Sequence, residues 1–280
     1  TAVANLASTY RRQGRWKQAE PLISEVLERR TRTFGTDHPL TILASSNVAD
    51  MNRLLGRWSE AERMELGILE KSKRIFGEEH PETATAAADL AATYSKQRRW
   101  KEAKELGEKV LEKRKKAFGN EDPDTIWATA DLADTYREMG RLEEAEEMEL
   151  RVLSYRQRTV GREHVDTLWA ETNLARTYIA LGRYDQAKDL LLSVKGTAKA
   201  VASDHPDIAF VLMGLASACQ GQGQLEEATA YMSEAVELSI KAIGRRHPET
   251  QDRIHKLADL YRTVGNTEGT QQMETLLSIS

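Results

Sequence analysis

The sequence has 280 residues, with 40 Lys and Arg against 44 Asp and Glu for a formal net charge of −4. That near-balance provides no phosphate-binding surface, so no nucleic acid is expected as a partner, and 30% charged with 40% hydrophobic residues suits a folded helical chain rather than disorder. A single Cys excludes an internal disulfide and fits a reducing, cytoplasmic setting, and with no apolar run near about 18 residues no membrane contact is expected.

The elements follow from a repeat. Gly14-Arg15-Trp16 recurs as Gly56-Arg57-Trp58, Arg98-Arg99-Trp100, Gly140-Arg141-Leu142, Gly182-Arg183-Tyr184, Gly223-Gln224-Leu225 and, more weakly, Gly265-Asn266-Thr267. The step is 42 residues, with one of 41 between Gly182 and Gly223. In chain order this spacing predicts a truncated helix over 1–12 followed by one over 16–34. Pairs then follow over 39–54 and 58–76, 81–96 and 100–118, 123–138 and 142–160, 165–180 and 184–200, 206–221 and 225–243, and 248–263 and 267–278. Nothing reads as a strand. The opening at Thr1, without Met or a signal peptide and partway through a helical pattern, reads as an excised piece of a longer protein.

Each pair carries the same chemistry. A large apolar residue and Ala precede every turn, as Leu6-Ala7, Val48-Ala49, Leu90-Ala91, Leu132-Ala133, Leu174-Ala175, Leu215-Ala216 and Leu257-Ala258. Tyr10, Tyr94, Tyr136, Tyr178 and Tyr261 stand four residues after the apolar one, on the same helical face, with Asn52 and Cys219 as departures. Ala19, Ala61, Ala103, Ala145, Ala187 and Ala228 follow the turn, with Thr270 in the seventh copy. Small residues on both arms let two helix axes approach closely, so the unit is a helical hairpin. Between units, strings such as Gly77-Glu78-Glu79-His80-Pro81-Glu82-Thr83 place Pro39, Pro81, Pro123, Pro206 and Pro248 in a first helical turn. Gly35, Gly77, Gly119, Gly161 and Gly244 are expected to cap the preceding helix in a left-handed conformation. Pro21 is expected within the first two turns of its helix, with a slight kink. Gly67 and Gly107 fall inside second helices without an evident reason.

The Leu-Ala-x-x-Tyr string with its downstream Ala resembles the tetratricopeptide (TPR) repeat, here lengthened beyond the usual unit of about 34 residues. The longer unit resembles the repeats of kinesin light chains. The wording Asn5-Leu6-Ala7-Ser8-Thr9-Tyr10-Arg11 with Gly14-Arg15-Trp16 is similar to the C-terminal arrays of fungal STAND (NLR-like) proteins. The resemblance implies an all-α fold, a right-handed α-solenoid (superhelix) of about seven TPR hairpins. It covers residues 1–280 as one array, with repeats near 1–38, 39–80, 81–122, 123–164, 165–205, 206–247 and 248–280. It further implies a non-catalytic protein- or peptide-binding role, as the ligand-sensing region of a STAND-like signalling protein or as a kinesin-light-chain-like cargo or scaffold adaptor.

No constellation for catalysis, cofactor or metal binding is visible. There is no phosphate loop, no His-Glu-x-x-His and no Cys pair. His38, His80, His164, His205 and His247 share one repeat position, which keeps them too far apart for zinc and points to a junction role. Cys219 stands where the core pattern has Tyr and is expected to be packed and inert.

In TPR arrays the first helices line the concave face, which makes three rows candidates for contact with a protein or extended peptide in the groove. The residue before each Leu-Ala pair gives Asn5, Asn47, Asp89, Asp131 and Asn173, then Gly214 and Lys256. Further along the same stripe come Asp50, Asp134 and Arg176, and one turn later Arg11, Arg53 and Arg137. An Asn in the first row is implied by the resemblance to hold a peptide main chain, since an amide both donates and accepts; Asp89 and Asp131 only accept when ionised. A solvated polar face is the alternative. Trp127 and Trp169 open consecutive first helices, with Phe210 at the next equivalent position, and these rings either form pockets for partner side chains or pack on adjacent helices. The mixed charges, including Arg12, Lys96 and Asp259, fit a ligand of both signs or internal ion pairs. Contact with an upstream domain of a longer protein is a further partner reading.

Overall fold

The computed structural model describes residues 2–201 and 208–278, without the side chains of residues 12 and 198–201. His205 and Pro206, together with the predicted helix start at 206–207, lie outside the described residues. Among the described residues the chain divides into two compact units, residues 1–141 and 142–280, with fourteen α-helices and no strand.

The first unit holds α1 (Ala2–Arg12), α2 (Trp16–Phe34), α3 (Pro39–Leu54), α4 (Trp58–Phe76), α5 (Pro81–Lys96), α6 (Trp100–Phe118) and α7 (Pro123–Glu138). The second holds α8 (Leu142–Thr159), α9 (Val165–Ala180), α10 (Tyr184–Val201), α11 (Ile208–Gly221), α12 (Leu225–Ala242), α13 (Pro248–Thr263) and α14 (Thr267–Ser278). Within each unit every helix packs on the next in sequence, the arrangement of an α-solenoid.

The small residues lie where the axes are closest. Ala19, Ala61, Ala187 and Ala228 are fully buried, as are Ala7, Ala49, Ala175 and Ala216 on the first helices of the same hairpins; Ala103 is equally buried, although its counterpart Ala91 is only half-buried. The last hairpin departs from the pattern, because Thr270 is only half-buried. Gly269 makes the close approach there instead, since a Cβ on it would come within 2.8 Å of the Tyr261 ring. Pro21 sits in the second turn of α2, as its position in the sequence predicts.

The hairpin turns explain the Gly-Arg-Trp signature. In each, the N–H of the residue after the turn Gly or Arg98 reaches back to the carbonyl five residues earlier, for example Arg15 to Tyr10 at 2.9 Å, Arg183 to Tyr178 at 2.8 Å and Gln224 to Cys219 at 2.8 Å. Such a closure needs a positive φ at the residue between, which Gly adopts without strain. Arg98 alone supplies it from a non-Gly residue, at φ 60°. The signature Arg then lies over the same Tyr ring, at 4.2 Å for Arg15 on Tyr10 and Arg99 on Tyr94, and 4.3 Å for Arg141 on Tyr136.

The junctions are capped by side chains. His38, His80, His164 and His247 each accept at Nδ1 from the backbone N–H two residues on, at 3.2 Å, and Asp122 does the same for Asp124 at 2.9 Å and Thr125 at 3.3 Å. Phe34 and Phe76 stack on His38 and His80. The predicted glycine caps do take positive φ, but ψ of 163° at Gly77 and 178° at Gly119 puts them in the mirror-extended region rather than the left-handed helical one. The chain thereby leaves each second helix extended instead of curling into a further turn.

Candidate functional site

Two close approaches place a first helix against the second helix that precedes it. A Cβ on Gly214 would lie 2.8 Å from Leu191 Cδ1, and one on Gly107 would lie 3.3 Å from Leu132 Cδ1. The second-helix position so identified is Ile23, Glu65, Gly107, Glu149 and Leu191 in successive repeats. Gly107 thus leaves room for Leu132, while Gly67 faces open space.

In the first unit this juxtaposition builds a polar cluster. Asp50 accepts from Arg11 Nη1 and, at 2.6 Å, from Arg53 Nη2. Arg53 Nη1 donates to the Asp89 carbonyl at 3.1 Å, and its Nη2 stands 4.0 Å from the Asp89 carboxylate. Behind it, Glu65 Oε1 is 4.0 Å from Arg53 Nη1. Glu65 is 2% exposed, and neither of its oxygens accepts a hydrogen bond. Burial pushes its carboxyl up to about 7, opposed by the nearby Thr93 hydroxyl and Arg53 and assisted by Asp89 and Asp50. Burial likewise raises Asp89. At Asp50 the two guanidinium groups outweigh burial and hold the carboxyl below its ordinary value. The charges of this stripe are thus largely consumed internally; Arg137 pairs with Asp134 and lies 3.6 Å from Glu138, and Arg262 donates to Asp259 at 2.6 Å.

The amides divide. Asn5 and Asn47 are exposed on α1 and α3 with no side-chain hydrogen bond among the described residues. Asn173 on α9 is 6% exposed, and its Oδ1 accepts from Arg176 Nη1 at 3.4 Å. Asp131 is exposed on α7.

The aromatic row divides as well. Leu43 is 50% exposed and Trp127, at the equivalent position, 41%. Between them, Thr85 accepts from Arg114 Nη2 at 3.2 Å. Trp169 lies under the Arg156 guanidinium at 5.1 Å, and Phe210 under that of Arg253 at 4.7 Å. Arg114 and Arg156, with Arg30, also donate to the second carbonyl of the following first helix at 2.7–2.8 Å. Ser239 replaces this arginine in α12, and Arg253, at a position that is Ala44, Ala86, Ala128, Ala170 and Val211 in the preceding repeats, reaches its hydroxyl at 3.1 Å. Cys219 is fully buried, and burial pushes its thiol up, as suits an inert core residue.

Sequence reasoning missed Glu65, Glu149 and the arginine struts, because it assigned the contact face to first helices alone. The signal was available: in the six repeats before the last, Glu stands twice in a row that otherwise holds Ile, Gly, Leu and Met. Among the described residues no group of His, Cys, Asp and Glu is arranged to hold a metal ion, and no helix is long and apolar enough to cross a membrane.

Signatures of the tetratricopeptide repeat match residues 1–66, 67–116, 96–158 and 207–269, and a second form matches 167–207. Among solved structures, a candidate kinesin light chain of nearly identical TPR-like repeats from Podosopora anserina is 28% identical over 73% of this chain and 97% of its own, with a TM-score of 0.56. A Rap protein complexed with competence and sporulation factor is 14% identical over 99% of this chain and 75% of its own, with a TM-score of 0.76. A STAND protein with a tetratricopeptide repeat sensor from Pyrococcus horikoshii is 16% identical over 98% of this chain and 41% of its own, with a TM-score of 0.57. The last two likenesses are of fold alone. No curated protein matches the chain.

Proposed function

The chain belongs to the tetratricopeptide-repeat family, and from that premise we propose that it is a non-catalytic, cytoplasmic protein- or peptide-binding array, the ligand-sensing C-terminal region of a STAND-like signalling protein. One observation carries the binding reading. The first-helix face of the first unit leaves the Asn5 and Asn47 amides without intramolecular partners, on helices that also expose Leu43. Amides able to donate and accept, set beside apolar surface, suit an extended main chain with apolar side chains. The signalling assignment draws on the repeat wording and on the STAND sensor, of which only 41% corresponds to this chain. The 28% identity to the candidate kinesin light chain favours the adaptor as second reading.

The test is affinity capture with the intact chain, followed by peptide mapping of what is retained. Asn5→Ala with Asn47→Ala is expected to weaken capture while leaving the melting temperature unchanged. Equal loss of both properties would make the row structural and overturn the reading. The complete gene separates the two roles: a nucleotide-binding module upstream accords with the sensor, a heptad coiled coil with the adaptor.

A further inference from the structure

In the Arg53 cluster of the first unit, the Asp89 and Glu65 carboxylates accept no hydrogen bond among the described residues. Asp50 is satisfied by Arg11 and Arg53, both within hydrogen-bonding distance. Asp89 and Glu65 are left with the same Arg53 at 4.0 Å, with the Thr93 hydroxyl also near Glu65. Arg114 of α6 also attracts Asp89, but it directs its hydrogen bonds to the Asp124 carbonyl and the Thr85 hydroxyl. The two groups differ in access: the Asp89 side chain is 33% exposed, whereas that of Glu65 is 2% exposed. A buried carboxylate without a donor forfeits the hydration that water would supply and receives nothing in return.

We infer that Asp89 and Glu65, with Arg53 as their fixed partner, form a binding site for one cationic side chain, a lysine ammonium or arginine guanidinium, carried by the polypeptide that the first-helix face receives. The inference rests on the reading of the chain as a binding array and adds to it the charge of the ligand. An ammonium has three donors and no acceptor, so it suits two acceptor-only groups that lack donors. The cation enters at the exposed Asp89 and takes the place of the proton that Glu65 otherwise holds near neutrality, with that proton released to solvent. Asp50 and Arg11 remain paired throughout. Binding is therefore weaker in acid. With the Glu65 carboxyl at about 7, affinity falls about tenfold from pH 8 to pH 6.

The experiment uses the intact chain labelled with nitrogen-15 and a capped pentapeptide, glycine–alanine–lysine–alanine–glycine. Controls are the same peptide with acetyl-lysine, the same peptide with glutamate, and spermidine as a free amine. The lysine peptide is expected to shift the backbone resonances of Arg53, Glu65 and Asp89, and the acetyl-lysine and glutamate peptides to leave them in place. Asp89→Asn is expected to weaken the lysine peptide about tenfold, and Glu65→Gln to remove the dependence on pH between 6 and 8. Circular dichroism checks that both variants fold; if Asp89→Asn does not, the pH dependence of the unsubstituted chain decides. Equal shifts with acetyl-lysine, or lysine binding that does not change with pH, would overturn the inference. Spermidine binding more tightly than the lysine peptide would overturn the assignment to a polypeptide. Partner capture with none of these lysine effects would sink this site alone, whereas failed capture with intact lysine effects would sink the broader array reading.

Discussion

Replacing Glu65 by Gln is expected to stabilise the protein above neutral pH and to do little in acid. The sign follows from the direction of the carboxyl's change. An acid whose value rises on folding, here from an ordinary 4.5 to about 7, leaves stability untouched below the lower value. Stability then declines as pH increases through the interval, and the full penalty is reached above the upper value. At about 1.36 kcal/mol per pH unit, that interval corresponds to about 3 kcal/mol. Glutamine retains the volume and still buries a polar amide, so a gain of about 1–3 kcal/mol at pH 8 is expected, shrinking to within about 0.5 kcal/mol near pH 5. Asp89 titrates in the same direction and is present in both proteins, so only its electrostatic coupling to Glu65 enters the difference. Urea unfolding followed by circular dichroism at pH 5, 6, 7 and 8 measures this directly, provided the slopes agree. Midpoints that run parallel for the two proteins across that range would refute the reasoning, because they would place no titrating carboxyl at position 65.

Three further outcomes test the fold. Arg98→Gly relieves a left-handed non-Gly residue at φ 60°, and the gain, reduced by the added freedom of the unfolded chain, is expected to reach up to about 1 kcal/mol in denaturation. Ala61→Leu forces a larger side chain into the fully buried contact between α3 and α4 and is expected to destabilise by about 1–3 kcal/mol; an unchanged midpoint would contradict the close approach. His80→Ala removes the Nδ1 acceptor for the Glu82 N–H and is expected to lower stability by about 1 kcal/mol. His80→Asp should retain it, as Asp122 does at the next junction, and thermal melts of both variants give the comparison.

Most of the fold could be read from the residues because it is set locally. The predicted spans 39–54, 81–96 and 123–138 coincide with α3, α5 and α7, since Pro at the first turn and the Arg N–H closure after the last fix both ends within a few residues. The candidate rows were legible as positions on helices, but not as a site. Asn47 and Asn173 are identical in sequence register, yet one is exposed and the other buried. Trp127 and Trp169 are likewise equivalent, yet the first is exposed and the second half-buried beneath the Arg156 guanidinium.

The sequence by itself determined the hairpins, their length and their buried seam, because periodic side chains and backbone stops act over one or two turns. Tertiary structure alone decided which carboxylate received a guanidinium. Arg53 reaches Asp50 on its own helix at 2.6 Å but approaches Glu65 on α4 and the Asp89 carboxylate on α5 only to 4.0 Å. That difference separates a satisfied ion pair from two acceptors without donors, since a hydrogen bond weakens steeply beyond about 3.2 Å. Such distances depend on how three helices and one long flexible side chain come together in space, and no spacing along a single helix encodes them.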